Sequence, residues 1–417
     1  MRIPMNSLAA TLCARLFLVL VVIGGTALGH ASDTVIYNFA GGSAGVNPNT
    51  GLVFDAAGNL YGGSYTGGSG ACGGGCGVIF RLTPGSSGTW TQSVVYNFQG
   101  FTAGDGMYPS GRLISDAAGN LYGVTAAGGI RNCGTVFELI PGSGGSWTES
   151  VLHSFACGDK DGNEPSGNLV FDASGNLWGV TLAGGTRNGG MVFELVHSSG
   201  GWTESMIYNF SGVGTLSGSE PTGIIFDGSG NLYGVTEFGG TEAVNGAGVV
   251  FQLVESSGVW TQKVLHRFPI TGTSLQTPNG GLIFDASGNL YMTMARGGNG
   301  GAGVFKFNPT TGATETVYSF KGPQIVQPYE GLVFDAAGNL YSSSYVGGGN
   351  CGGYGCGSIY KLSPGESHWT STLLANLNGG NGAYPEGGVV LDSAGNVYGA
   401  AFSGGSGKDG VVFEIIP

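Results

Sequence analysis

Apolar and polar positions alternate along this chain in short bursts, and the bursts recur in a fixed order. The first is an apolar run that ends in Asp: G-L-V-F-D (51–55), G-I-I-F-D (223–227) and G-V-V-L-D (388–392). The second starts at an Asn four residues on, as in N-L-Y-G-V-T (120–125). The third reads G-T-V-F-E-L (134–139), G-V-V-F-Q-L (248–253) or G-S-I-Y-K-L (357–362), and the fourth usually opens with W-T, as at 90–98 and 147–155. Val, Ile, Phe and Tyr dominate these runs and Gly, Pro, Ser or Asn bound them, which is the pattern of short β-strands. Beyond the first thirty or so residues no stretch sustains a helical period, so an all-β fold is expected.

The turn between the first two strands carries the motif D-x-x-G-N-[LV]-[YW], which begins at Asp55, Asp116, Asp172, Asp227, Asp285, Asp335 and Asp392. Asp closes the first strand and offers its carboxylate to amides two residues on, and Gly takes the left-handed position of a tight turn. A period of this size points to a ring or stack of four-stranded units. The two ends choose between them. The last unit stops after its third strand, 410–416, while the segment after the leader opens with an orphan fourth strand, T-V-I-Y-N-F (34–39). Pairing the two completes a seven-bladed β-propeller of four-stranded blades, a single domain over 32–417. Five tryptophans (Trp90, Trp147, Trp202, Trp260 and Trp369) open fourth strands and read as packing residues, and Trp178 takes the place of the strand-two Tyr.

Residues 1–31 read differently. Arg2 and Arg15, an apolar run from Leu16 to Ile23 and small residues at Ala27, Gly29 and Ala31 make a secretory signal peptide, expected to be cleaved after Gly29 or Ala31. The apolar run is shorter than the roughly 20 residues of a membrane span, so an exported, unanchored and monomeric protein is expected, extracellular or periplasmic. Acidic residues outnumber basic ones 26 to 14, which excludes nucleic acid and anionic membranes as partners at long range. The 86 glycines recur at fixed repeat positions and so do not signal a disordered chain. Of the 7 cysteines, Cys13 lies in the leader. The rest suit an oxidising compartment as Cys72–Cys76, Cys351–Cys356 and, by what remains, Cys133–Cys157. Metal ligation is the alternative for these thiols, but no His lies near either short pair.

The extended pattern P-x-x-G-L-x-x-D-x-x-G-N-L-Y-G-x-T-x-x-G-G…G-x-V-F-x-L, repeated over 34–417, resembles the GloVer-type tandem-repeat family of secreted bacterial proteins. Its D-x-x-G-N-L-Y core is also similar to NHL-repeat and gluconolactonase-type propellers. The resemblance implies export and a propeller; it implies no reaction and no catalytic residue.

In such a blade the 1–2 and 3–4 turns lie on one face and the 2–3 and 4–1 loops on the other. Loop lengths vary on the second face, and binding residues favour variable loops on a rigid scaffold. Six residues after each repeat Asn stand Tyr65, Ala126, Leu182, Glu237, Ala295, Tyr345 and Phe402, so ring closure makes the three aromatics neighbours. Tyr384, Tyr329 and Tyr354 belong to the same sector and Tyr108 to the next loop. An aromatic cluster of this kind suits a glycan or an extracellular protein; alternatively, these rings cover Gly-rich loops. The repeat aspartates could ring the axis around a cation or simply cap turns, and D-K-D-G-N-E (159–164) resembles part of a Ca2+ loop as well as a repeat turn. No other cofactor is indicated. His153 and His266 occupy a strand-four Tyr position and read as core; His197 and His368 are isolated. With no G-x-S-x-G or H-E-x-x-H, a binding or scaffold protein is preferred. The alternatives are an extracellular lactonase, polysaccharide lyase or hydrolase, and a purely structural surface protein.

Overall fold

The computed structural model describes residues 31–417 except 213, 242–245, 271–274, 298–301, 321–325, 329–330, 349–350 and 354, with the backbone alone at 326 and 327. The strands form seven antiparallel sheets arranged as the blades of a propeller. Blade 7 runs Val389–Leu391, Val397–Ala401, Val411–Ile416 and then Ser32–Asn38. That last pairing, from Ser32 opposite Ile416 to Asn38 opposite Val411, joins the two ends of the chain. The expected ring closure is present.

Hydrophobic burial lies between blades rather than within them. Each apolar cluster draws on two neighbours: Leu60, Phe80 and Leu82 of blade 1 pack with Phe39, Tyr398 and Val412 of blade 7, and the other six clusters repeat the arrangement. A ladder of edge-to-face rings crosses these boundaries, with Phe98 on Phe137 at 5.1 Å, Phe155 on Phe193 at 5.2 Å and Phe210 on Phe251 at 5.2 Å. The ladder explains the fourth residue of N-L-Y-G: a Cβ at Gly62 would meet Phe80 Cζ at 2.7 Å, and one at Gly123 would meet Phe137 Cζ at 2.6 Å. Tryptophans bridge blades at the other end of the fourth strand, where Trp147 meets Tyr61 and Trp260 meets Trp178.

The D-x-x-G-N turns are capped as their chemistry requires. Asp55 Oδ1 accepts the Ala57 and Asn59 amides at 2.9 Å each, while Oδ2 accepts Asn59 Nδ2 at 2.7 Å and the Tyr61 hydroxyl at 3.1 Å. Asp116, Asp285, Asp335 and Asp392 repeat the set. In blade 3 the Trp178 indole replaces the phenol as donor to Asp172. Their oxygens are occupied by turn donors, which favours capping over the cation ring.

On the opposite face the inner strand of one blade locks onto the segment that leads into the third strand of the blade before it. Tyr108 donates its amide to the Cys76 carbonyl at 2.9 Å, Glu164 to Cys133 at 3.1 Å, Glu220 to Gly189 at 2.8 Å, Thr277 to Ala247 at 2.9 Å and Tyr384 to Cys356 at 2.8 Å. Asn47 closes the ring by donating to Asp409 at 2.8 Å. The proline that follows each donor then covers a glycine of the preceding blade: a Cβ at Gly77 would lie 2.5 Å from Pro109 Cδ, and one at Gly190 2.6 Å from Pro221 Cδ. Three of the acceptors are cysteines, and all three expected disulfides are formed: Cys72–Cys76, Cys133–Cys157 and Cys351–Cys356. The disulfides therefore fix loops from which inter-blade carbonyls project.

Gly123→Ala should lower unfolding stability by about 1–3 kcal/mol through overpacking against Phe137. Gly228→Ala, where a Cβ meets nothing within 4 Å, should change it by less than about 0.5 kcal/mol. Denaturant midpoints of the two variants check the pair; equal losses would contradict the inter-blade ladder.

Candidate functional site

The locking geometry has a consequence at the mouth of the propeller axis. To donate across to the preceding blade, the residue before each inner-strand proline adopts a left-handed backbone. φ is 60° at Asn47, 63° at Tyr108, 57° at Glu164, 56° at Glu220, 53° at Thr277 and 60° at Tyr384. Such values are rare outside glycine, and a residue before proline ordinarily stays extended. Each costs on the order of 1–3 kcal/mol, and strain of this kind clusters where side chains serve a site. These side chains form one tier around the mouth. The second-strand residues six after the repeat Asn form another.

The two tiers sort by chemistry. Blades 6, 7, 1 and 2 carry rings. Tyr65 stacks on Tyr108 with centroids 4.6 Å apart and planes 15° from parallel. Phe402 stands 6.5 Å from Tyr65, and Tyr345 lies 5.2 Å from Tyr384. The Phe402 amide donates to the Tyr384 carbonyl at 3.1 Å, and Asn47 Nδ2 donates to the Phe402 carbonyl at 2.8 Å, which ties the arc together. All five expected aromatics are therefore neighbours, each partly exposed; Tyr329 and Tyr354 lie outside the described residues.

Blades 3 and 4 carry carboxylates instead: Glu164 and Glu220 from the strained tier and Glu237 from the second-strand tier. Glu386, one residue past Pro385 in blade 7, faces both Tyr65 and Tyr345. Burial and then the Glu220 charge push the Glu237 carboxyl up, partly offset by Arg296 of blade 5. Burial and then Glu164 raise Glu220. Burial, with Tyr108, Glu386 and Glu164 behind it, raises the Tyr65 phenol. Below the mouth, Arg112 reaches from blade 2 across the axis. Its amide donates to Asn168 Oδ1 of blade 3 at 3.0 Å and its Nη2 to the Val389 carbonyl of blade 7 at 3.1 Å. The candidate site is thus an aromatic arc and an acidic arc, with the Arg112 side chain bridging blades 2 and 7 between them.

The acidic wall is the part that repeat alignment overlooked. Glu237 is the single acid in its column of the repeat, and the column before the inner-strand proline (Asn47, Tyr108, Glu164, Glu220, Thr277, Gln327, Tyr384) carries the other two. D-K-D-G-N-E has the hydrogen bonding of the equivalent repeat turn: Asp161 accepts the Ala156 and Gly162 amides at 2.7 Å each, as Asp105 accepts those of Gln99 and Gly106. His266 is core, packed against Phe268 and Phe305, and burial lowers its pKa. His153 is not purely core, because its ring faces Asp161 at 3.4 Å.

The sequence pattern of the Gloeobacter/Verrucomicrobia repeat matches residues 26–244 and 150–354. The chain belongs to this repeat family. No curated protein matches it. Among solved structures it is similar to an extracellular domain assigned to a one-component system of B. thetaiotaomicron, at TM-score 0.55 and 10% identity over 91% of this chain and 39% of that one. The repeat protein thus spans about two fifths of that neighbour's length. It is also similar to a periplasmic gluconolactonase of Pseudomonas aeruginosa (TM-score 0.52, 15% identity, 79% and 84% covered). A third likeness is a protein from Lactobacillus plantarum (0.51, 13%, 86% and 99%). At these identities the likeness shows the propeller fold. Among the described residues of the repeat protein no helix is long and apolar enough to cross a membrane, and its disulfides accord with an extracellular or periplasmic setting.

A raised carboxyl is favoured in its protonated form by the folded state, so stability from Glu237 is full at low pH and is lost as pH rises through its folded pKa. Glu220→Gln removes the like charge beside it and should shift the Glu237 titration toward the ordinary carboxylate range. Side-chain carboxyl NMR across pH 3–8 reads this; an unmoved Glu237 titration would show that the acidic wall is not one electrostatic unit.

Proposed function

We propose that this is an exported binding protein whose axial cup on the variable-loop face takes a glycan. The observation that carries the reading is the Tyr65–Tyr108 stack with Phe402 beside it and the Tyr345–Tyr384 pair on the adjoining blades. Sugar rings present apolar faces that pack on aromatic side chains, and their hydroxyls donate to carboxylates. The acidic wall and the acidic chain as a whole favour neutral or amino-bearing sugars over uronic acids. Strained inner-strand residues give such a cup a fixed shape before the ligand arrives, which reduces the entropic cost of binding.

Raised carboxyls at Glu220 and Glu237 support a second reading, an extracellular propeller enzyme of the lactonase or polysaccharide lyase type. A carboxyl raised above its ordinary range is better suited to serve as a general acid. This reading calls for turnover as well as binding.

A glycan array followed by calorimetry tests the proposal. Tyr65→Ala and Tyr345→Ala should each weaken the best oligosaccharide about tenfold, or about 1.4 kcal/mol, with the circular dichroism of the blades unchanged. Wild-type affinity in both variants would remove the cup as the binding site, and consumption of the oligosaccharide would move the assignment to the enzyme.

A further inference from the structure

Away from the cup, the outer edges of blades 2 and 3 bring together His153, Asp161 and Glu204, whose ligand atoms all lie within 4.8 Å of one another. We propose that this junction binds one divalent transition-metal ion of the zinc class, clamping the two blades. His153 comes from the fourth strand of blade 2, Trp147–Ser154, where a register shift between Val151 and His153 re-aims the ring. Asp161 belongs to the loop that follows, and Glu204 to the fourth strand of blade 3, Gly201–Asn209.

Three observations carry the site. The His153 Nε2 to Asp161 Oδ1 separation of 3.4 Å is long for a charge-assisted hydrogen bond. It equals the edge, about 3.4 Å, of a tetrahedron with metal bonds of about 2.1 Å. Glu204 Oε1 is buried without a hydrogen-bond partner, as is Glu149 Oε1 at the blade 1–2 junction, and only at Glu204 does an imidazole stand beside the unpaired oxygen. The Asp161 loop is also held in place independently, by two amide donors and by the Cys133–Cys157 bond, which is the support a ligand set needs.

The neighbouring junctions show what the same place looks like without ligand chemistry. Between blades 3 and 4 the Tyr208 hydroxyl donates to Gln262 Oε1 at 3.0 Å, and Gln262 Nε2 donates to the Ser217 carbonyl at 2.8 Å. Between blades 1 and 2 the Tyr96 hydroxyl donates to Asp105 Oδ2 at 2.9 Å, and Glu149 supplies the acid. The blade 2–3 junction is where imidazole replaces phenol beside two carboxylates. One imidazole and two carboxylates leave a fourth, solvent-facing position for water on a tetrahedral ion. Calcium, which takes six to eight oxygen ligands, is not served by this set.

The test uses the full secreted chain after EDTA treatment, titrated with ZnCl2 by calorimetry and by thermal shift, with CaCl2 in parallel. The wild type should take up one zinc ion per chain and gain thermal stability from ZnCl2 and not from CaCl2. His153→Tyr places there the side chain found at Tyr96 and Tyr208, and Glu204→Gln the one found at Gln92 and Gln262. Both substitutions suit the fold, and each should weaken zinc by at least about a hundredfold, because loss of a group bound to the ion costs more than the roughly 10–100-fold of losing one that only supports a ligand. No zinc uptake by the wild type, undiminished uptake in both variants, or protection by CaCl2 alone would each overturn the proposal.

Discussion

The ring rests on one contact repeated at six of its seven junctions: a proline of the inner strand seated on a glycine of the preceding blade, with the amide just before that proline bonded to the carbonyl just before that glycine. Neither half works without the other. A side chain at Gly77 would meet Pro109, and without the proline in place the Tyr108 amide would lose its alignment to the Cys76 carbonyl. The contact joins blades through backbone, where side-chain ladders such as Phe98 on Phe137 join them through apolar surface. The left-handed backbone it imposes also places Tyr108 against Tyr65 and Tyr384 beside Tyr345.

Much of this was legible in the residues. The Asp and Gly of D-x-x-G-N dictate a capped turn, and the split unit at 34–39 and 410–416 dictates closure, because an open array has no use for half a blade. The disulfide partners followed from the two close pairs, Cys72–Cys76 and Cys351–Cys356, which leave Cys133 for Cys157. The five aromatics could be placed together since ring closure makes blades 6, 7 and 1 neighbours.

What escaped notice did so for a physical reason. A residue before proline reads as extended, so nothing local announces six left-handed positions; only the inter-blade bond enforces them. The acidic wall was split between two columns, Glu164 and Glu220 in one and Glu237 in the other, and neither looks acidic alone. The His153 cluster draws on three segments, with Glu204 contributed by the next blade, so its unity exists only after the blades pack. In each case the missing information was contact between repeats rather than pattern within one.

Amide hydrogen exchange at Tyr108, Glu164, Glu220 and Tyr384 tests this account most directly. If the proline–glycine contact holds the blades together, these loop-edge amides exchange as slowly as those in the middle of the second strands, and Gly134→Ala, which crowds Pro165, releases Glu164 selectively. Exchange at the rate of the exposed 3–4 turns, with or without that substitution, would mean that the contact follows from ring closure and does not maintain it.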